Sequence, residues 1–228
     1  MFSGILLLFS ALIPLCFGTV WPKILLLGDN YVANCYYDTW CAELANRYVR
    51  VADVRNRGAY NYNTQSYLAV LEDCFSGTDT NNIGVVLLFI GTTDSVKNSL
   101  GIPIKDYKSN LDAILKNITQ KLSPKQIILV GPTPPNLKTS VLRPREHVDG
   151  YDKMSKQLAS SNKITSYLSI YTTWSPAQSE TWFDGNGMFN TAGSKAFLDL
   201  IAKPIYDKLK EFMGPSFMKK KFPTIPKV

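Results

Sequence analysis

Apolar residues along this chain fall into two alternating kinds of segment. Short continuous runs, aliphatic on both faces, alternate with longer stretches whose apolar positions recur every three or four residues. The runs at 24–28 (ILLLG), 85–91 (VVLLFIG) and 126–130 (QIILV) read as buried strands, each ending at or just before a glycine. Residues 49–54 and 166–171 read as two further strands. Helical spacing marks 42–48, 64–74, 105–122, 147–160 and 191–212, with Thr64 as the cap of the second of these. In the third, Tyr107, Leu111, Ile114, Leu115 and Ile118 share one face. The alternation predicts a single α/β domain: three layers, α/β/α, around a central parallel sheet whose strands are apolar on both faces because helices cover both.

In such a sheet, chemistry belongs beyond the carboxyl ends of the strands. Three predicted strand ends carry polar clusters: Gly28-Asp29-Asn30, Arg57-Gly58 and Gly91-Thr92-Thr93-Asp94. A fourth cluster, Phe183-Asp184-Gly185-Asn186-Gly187, precedes the last helix. All four are expected to converge on one crevice.

Composition narrows the classes. A chain of 228 residues with 45% hydrophobic and 19% charged positions buries a full core, which excludes disorder, a collagen-like fibre and a coiled coil. Its 4 cysteines are too few for a disulfide framework to replace that core. With 1 histidine, a metal site built on two or more imidazoles is impossible, and His147 is the only imidazole base available. No metal and no cofactor are expected. The net charge of +7 is concentrated at the carboxyl end, where residues 203–228 hold seven lysines against two acids. A groove for nucleic acid spreads basic residues over the fold and interleaves aromatics, so no nucleic-acid partner is expected. Residues 214–228 read as a basic, flexible tail that is either simply solvated or weakly drawn to anionic surfaces.

The amino end has the form of an address. Residues 1–20 carry no charged side chain, and the apolar stretch 5–15 is the length of a signal-peptide core, with Pro14 and Gly18 where cleavage is expected. The expected organisation is a signal peptide at 1–18, one domain at 19–213 and the tail, giving a secreted protein with no transmembrane span in its mature form. A buried amino-terminal strand or an uncleaved anchor is the competing reading. Cleavage leaves Cys35, Cys41 and Cys74, so one disulfide is expected with its pairing open. Asn117-Ile118-Thr119 is a glycosylation sequon that becomes meaningful on secretion.

The polar clusters carry a family resemblance. The segment 21–29 (WPKILLLGD), the pair 53–58 (DVRNRG) and 62–64 (YNT), the segment 88–95 (LFIGTTDS), the strand end 129–134 (LVGPTP), and 183–187 (FDGNG) with Ala192-Gly193 stand in order at matching spacings. Together they resemble the five blocks of the SGNH, or GDSL-type, esterases, and most closely the isoamyl acetate-hydrolysing subgroup, from Trp21 to about Phe212. The resemblance implies the flavodoxin-like three-layer fold of that family. It also implies the positions of the reaction machinery: a serine nucleophile after Gly-Asp, a histidine base three residues after a late aspartate, and an oxyanion hole from the nucleophile's amide, a block-two glycine and a block-three asparagine.

This sequence departs from that pattern. The nucleophile position is Asn30, the oxyanion asparagine position is Thr93, and the histidine position is Gly187. Only Gly58 and the orienting acid Asp184 remain. The resemblance thus implies architecture kept and serine-hydrolase chemistry lost, with Asp29 and Asp94 still bracing the loops. No catalytic residue is assigned. Tyr31 and Cys35 lie near the nucleophile loop without a base the sequence places beside them, and His147 sits at a helix start. The expected function is binding of a small acyl ester, an acyl group or a glycan in the old crevice by Asp29, Asn30, Gly58, Thr93, Asp94, Asp184 and Asn186. A protein partner elsewhere is equally compatible, with Tyr36, Tyr37, Trp40, Tyr60 and Tyr62 as candidate anchors. The alternative is an active carboxylic ester hydrolase on short acyl esters with an unorthodox site.

Overall fold

Side-chain alternation along the strands divides the interior into two cores. Ile24 and Leu26, Val85, Leu87 and Phe89, and Ile128 and Val130 face one side of the sheet. Leu25 and Leu27, Val86 and Leu88, and Ile127 and Leu129 face the other. A computed structural model of the chain describes residues 21–76, 80–136 and 141–214. The expected signal peptide and the tail beyond Gly214 lie outside the described residues.

The strands are β1 (Lys23–Gly28), β2 (Asp53–Gly58), β3 (Ile83–Phe89), β4 (Gln126–Val130) and β5 (Thr165–Leu168), all parallel in the order β2-β1-β3-β4-β5. On the first face lie α1 (Asn30–Ala33), α2 (Trp40–Arg47) and the closing helix α8 (Thr191–Met213). On the second lie α3 (Thr64–Phe75), α4 (Ile104–Leu122) and α5 (Arg145–Ser160). Two short helices, α6 (Ile170–Thr173) and α7 (Pro176–Trp182), carry the chain from β5 back to α8. This is the three-layer α/β/α arrangement, and the register of Gly58, Gly28, Phe89 and Val130 on adjacent strands aligns the carboxyl ends in one row.

Three sequence expectations are corrected. The strand expected at 49–54 is β2, shifted to Asp53–Gly58. The valines drew the reading early, yet Val51 and Ala52 are buried in the turn before the strand. The strand itself is polar because it is an edge, paired only with β1, where charged side chains are favoured. The cap of α3 is Asn63, whose side chain accepts from Ser66 N at 2.9 Å. Thr64 is already helical, and its N–H and hydroxyl both go to Asp94. The last strand stops at Leu168 because Ser169 turns the chain, accepting from Thr172 N at 3.0 Å to cap α6.

Cys35 and Cys41 form a disulfide, Cα atoms 5.2 Å apart, between the end of α1 and the first turn of α2; Cys74 remains a thiol. Both half-cystines are fully buried. A cross-link this short removes about 2 kcal/mol of denatured-state entropy. Cys35→Ala/Cys41→Ala is therefore expected to lower unfolding free energy by about that amount, read from the midpoint shift in urea at unchanged slope. An undiminished midpoint would mean the bond stabilises nothing. The sequon lies inside α4, where Asn117 donates to Ala113 O at 2.9 Å and Thr119 Oγ1 accepts from Asn162 at 3.2 Å. Among the described residues no helix is long and apolar enough to cross a membrane, and no group of three or more metal-ligating side chains is gathered.

Candidate functional site

Beyond the row of strand ends lies a cleft of about 190 Å³. The chain enters it directly from β1, where Asp29 caps α1 and residues 30 and 31 follow as its first turn. Asn30 and Tyr31 line it together with Thr92 and Thr93 from the loop after β3, and Asn186 and Gly187 from the segment before α8. Three of the four predicted clusters thus meet as expected. The Arg57-Gly58 cluster contributes no lining residue; that side is walled instead by Asn61.

Asn30 is held by Asn61. Its Oδ1 accepts from Asn61 N, and its Nδ2 donates to Asn61 Oδ1 at 3.4 Å. Gly58 sits against the turn after β1: a Cβ there would stand 2.3 Å from Ala33 N. Its N–H donates to Asn56 Oδ1 at 2.8 Å within its own strand. The amide that the resemblance assigns to an oxyanion is therefore already engaged.

The late loop is folded on its own acid. Asp184 Oδ1 accepts from Asn186 N at 2.8 Å and from Met188 N at 2.9 Å, and Phe183 bridges Phe189. Gly187 takes φ +78°, the left-handed region that favours glycine. Its carbonyl accepts the Tyr31 hydroxyl, which in turn accepts from Thr133 Oγ1 at 3.2 Å. Tyr31 is buried against Phe89, stacked at 5.0 Å, and Phe189 at 4.7 Å. Burial raises its pKa, so it stays a phenol.

Asp29 and Asp94 do not line the cleft; both are fully buried beneath it. Asp94 ties the loop after β3 to α3 by accepting from Thr64 N at 2.9 Å and from its hydroxyl. Burial pushes its carboxyl up to about 6, against those hydrogen bonds. Asp29 Oδ1 accepts from Tyr31 N at 3.3 Å, while Oδ2 has no hydrogen-bond partner among the described residues. Burial, with the charge of Asp94 behind it, pushes Asp29 up to about 7. Of the residues expected to line the crevice, Asn30, Thr93 and Asn186 do so, whereas Asp29, Gly58, Asp94 and Asp184 do not.

His147 sits in the first turn of α5 with its ring edge-on to Tyr151 at 5.1 Å, and it is not a lining residue. Burial and then Lys97 lower its pKa. Trp40 is not an anchor either: it is fully buried against Phe197 and donates to Tyr31 O at 3.3 Å. Tyr36, Tyr37 and Tyr60 are exposed.

Arg143 joins the site without any signal in the sequence. It arrives from the connection between β4 and α5, 5% exposed, and lines the cleft. Its Nε donates to Ser95 Oγ at 3.1 Å, Nη1 to Thr133 Oγ1 at 3.2 Å and Nη2 to Thr133 O. Nothing local in Leu142-Arg143-Pro144 signals this burial.

No protein-family model matches the chain. It is 33% identical over 122 residues to the human isoamyl acetate-hydrolysing esterase 1 homologue, an alignment covering 50% of this chain and 49% of that protein. The chain thus spans about half the length of the mammalian relatives it matches. A GDSL esterase/lipase of Arabidopsis thaliana is 26% identical over 212 residues, 83% of this chain and 86% of that protein. The fold superposes on a lipase/acylhydrolase from Enterococcus faecalis with a TM-score of 0.67 at 19% identity, over 82% of this chain and 96% of that one. The chain is therefore a homologue of the GDSL esterases and isoamyl acetate-hydrolysing esterase homologues, built on the SGNH-hydrolase fold.

Proposed function

We propose that this is a secreted, esterase-like protein that binds a small ligand in its cleft and does not cleave it. One observation carries the reading. At the two reacting positions that the family resemblance assigns, the cleft presents Asn30 clamped to Asn61 and Gly187 without a side chain. An amide held by two hydrogen bonds is no nucleophile, and without a base beside it no neighbouring hydroxyl is activated. The only imidazole, His147, faces Tyr151. What the cleft retains is recognition: amides of Asn30, Asn61 and Asn186 and the hydroxyl of Thr93 offer donors and acceptors to an acyl or sugar group. The buried Cys35–Cys41 disulfide supports an oxidising compartment.

A hydrolysis assay of the purified chain on short acyl esters tests the reading. Turnover is expected to equal that of Asn30→Ala and to stay at the uncatalysed rate. Wild-type turnover clearly above the uncatalysed rate would overturn the proposal, and its survival in Asn30→Ala would make the protein an esterase with a nucleophile elsewhere in the cleft.

A further inference from the structure

Among the residues lining the cleft, Arg143 is the one that carries a full charge. It is almost fully buried, and its three hydrogen-bond acceptors, Ser95 Oγ, Thr133 Oγ1 and Thr133 O, are all neutral. Among the described residues no carboxylate forms an ion pair with it. Buried guanidinium groups are ordinarily paired, because removing the charge from water without a counter-ion costs several kcal/mol. The acid whose field reaches Arg143 is Asp29. Burial keeps that carboxyl largely protonated below about pH 7, so it is a weak counter-charge. A guanidinium has five N–H bonds. Three are placed here; among the described residues the other two have no hydrogen-bond partner, and Arg143 lines the cleft.

The remaining walls describe the rest of the ligand. Val96, Leu100, Leu142 and Met188 give the cleft an apolar side, with Leu100 and Leu142 partly exposed at its mouth. Leu142 is fixed next to Arg143 by the hydrogen bond from Lys97 N to its carbonyl, 2.7 Å. The polar side is built of neutral amides and hydroxyls, with no second cation to match a doubly charged phosphate. A cleft of about 190 Å³ accommodates a short chain.

We propose that the cleft is a receptor for a small organic carboxylate, its anionic end seated on Arg143 and its short apolar chain lying along Val96, Leu100 and Leu142. This rests on the reading of the cleft as a binding site. Arginine suits the role because its planar fork meets a carboxylate with two parallel hydrogen bonds, which an ammonium does not.

Calorimetric titration of the full chain at pH 6, where butanoate is ionised and Asp29 largely is not, with butanoate, butanamide and inorganic phosphate tests this. Butanoate and butanamide have the same length and differ in charge. Butanoate is expected to bind at least about tenfold tighter than butanamide; Arg143→Gln is expected to erase that preference and Arg143→Lys, which keeps the charge without the fork, to reduce it. Because Arg143 is buried, either variant risks misfolding; the wild-type comparison decides the matter without them. Equal binding of acid and amide would overturn the proposal, as would absence of binding by butanoate. Phosphate binding as tightly as butanoate would overturn the carboxylate assignment. Ester turnover by the wild type would remove the non-cleaving reading and leave the acid-over-amide preference to be judged separately.

Discussion

A chain carrying both Asn30→Ser and Gly187→His is expected to hydrolyse p-nitrophenyl acetate roughly 10³-fold faster than the parent, while each single substitution stays near the parent's rate. Nucleophile and base act as a unit, so that losing either costs about as much as losing both, on the order of 10⁶. Restoring only one is accordingly expected to return little. The double variant does not recover the whole factor, because the oxyanion hole is also altered. Thr93 stands at the asparagine position, and one missing donor is worth about 10²–10³. The Gly58 amide, engaged by Asn56 Oδ1 at 2.8 Å, is a second shortfall. Adding Thr93→Asn is therefore expected to raise turnover about another hundredfold, and Asn56→Ala to raise it further by releasing the glycine.

The same substitutions carry a structural cost. Gly187 sits at φ +78°, where a side chain is strained by about 1 kcal/mol. Its carbonyl also holds the Tyr31 hydroxyl. Lower thermal stability alongside higher turnover is the expected signature. A double variant no faster than Asn30→Ser alone would mean that the cleft no longer places these two positions within reach of each other, and that the resemblance overstates how much of the site survives.

Most of the scaffold was legible because burial on both faces leaves a plain mark in a sequence. β3 is seven apolar residues feeding two separate cores, so no other element fits it. β2 was placed too early because an edge strand needs no apolar face and its six residues, DVRNRG, look like a loop. The start of α7 was legible and overlooked: Ser175-Pro176-Ala177-Gln178 has the form of a capping box with proline at the first helical position, and both reciprocal hydrogen bonds are made. The site divides in the same way. Asn30, Thr93, Asn186 and Gly187 reach the cleft because they stand two and four residues past the ends of β1 and β3 or in the loop before α8. The engagement of Asn30 by Asn61 joins residues 31 apart through a backbone at φ +62°, and the burial of Arg143 depends on acceptors 10 and 48 residues away. No local pattern encodes such pairings. Asp29 and Asp94 stand in the same loops as the lining residues, but their complete burial makes them braces of those loops and keeps them off the cleft wall.

Replacing Asp29 by asparagine is expected to stabilise the protein relative to wild type as pH rises, by a few kcal/mol between pH 5 and pH 8. The sign follows from where the proton sits. In the unfolded chain the carboxyl titrates near 4, whereas in the folded protein burial raises it to about 7. Between those values the folded state holds a proton that the unfolded state has released, so unfolding free energy falls as pH rises through this window and levels off above it. A gap of about three pH units corresponds to about 4 kcal/mol as an upper bound. Asparagine cannot ionise, yet its side-chain oxygen still accepts the Tyr31 N–H that Asp29 Oδ1 accepts at 3.3 Å. The groups that face this carboxyl work in opposite directions. Asp94, itself raised to about 6, makes a second negative charge harder to form, while the backbone amides of Tyr31, Thr92 and Thr93 favour the anion and Arg143 attracts it. Urea unfolding of wild type and Asp29→Asn at pH 5, 6, 7 and 8 reads the effect, because titrations not coupled to Asp29 cancel in the difference and only the coupled Asp94 contributes beside it. A difference that stays constant across the series would show that Arg143 and the amides hold Asp29 ionised, and that the buried guanidinium already has its counter-ion inside the protein. A difference that grows from pH 5 and levels off near pH 7 leaves Asp29 protonated through that window, and Arg143 without an ionised partner near pH 6, where an anionic ligand is expected to bind.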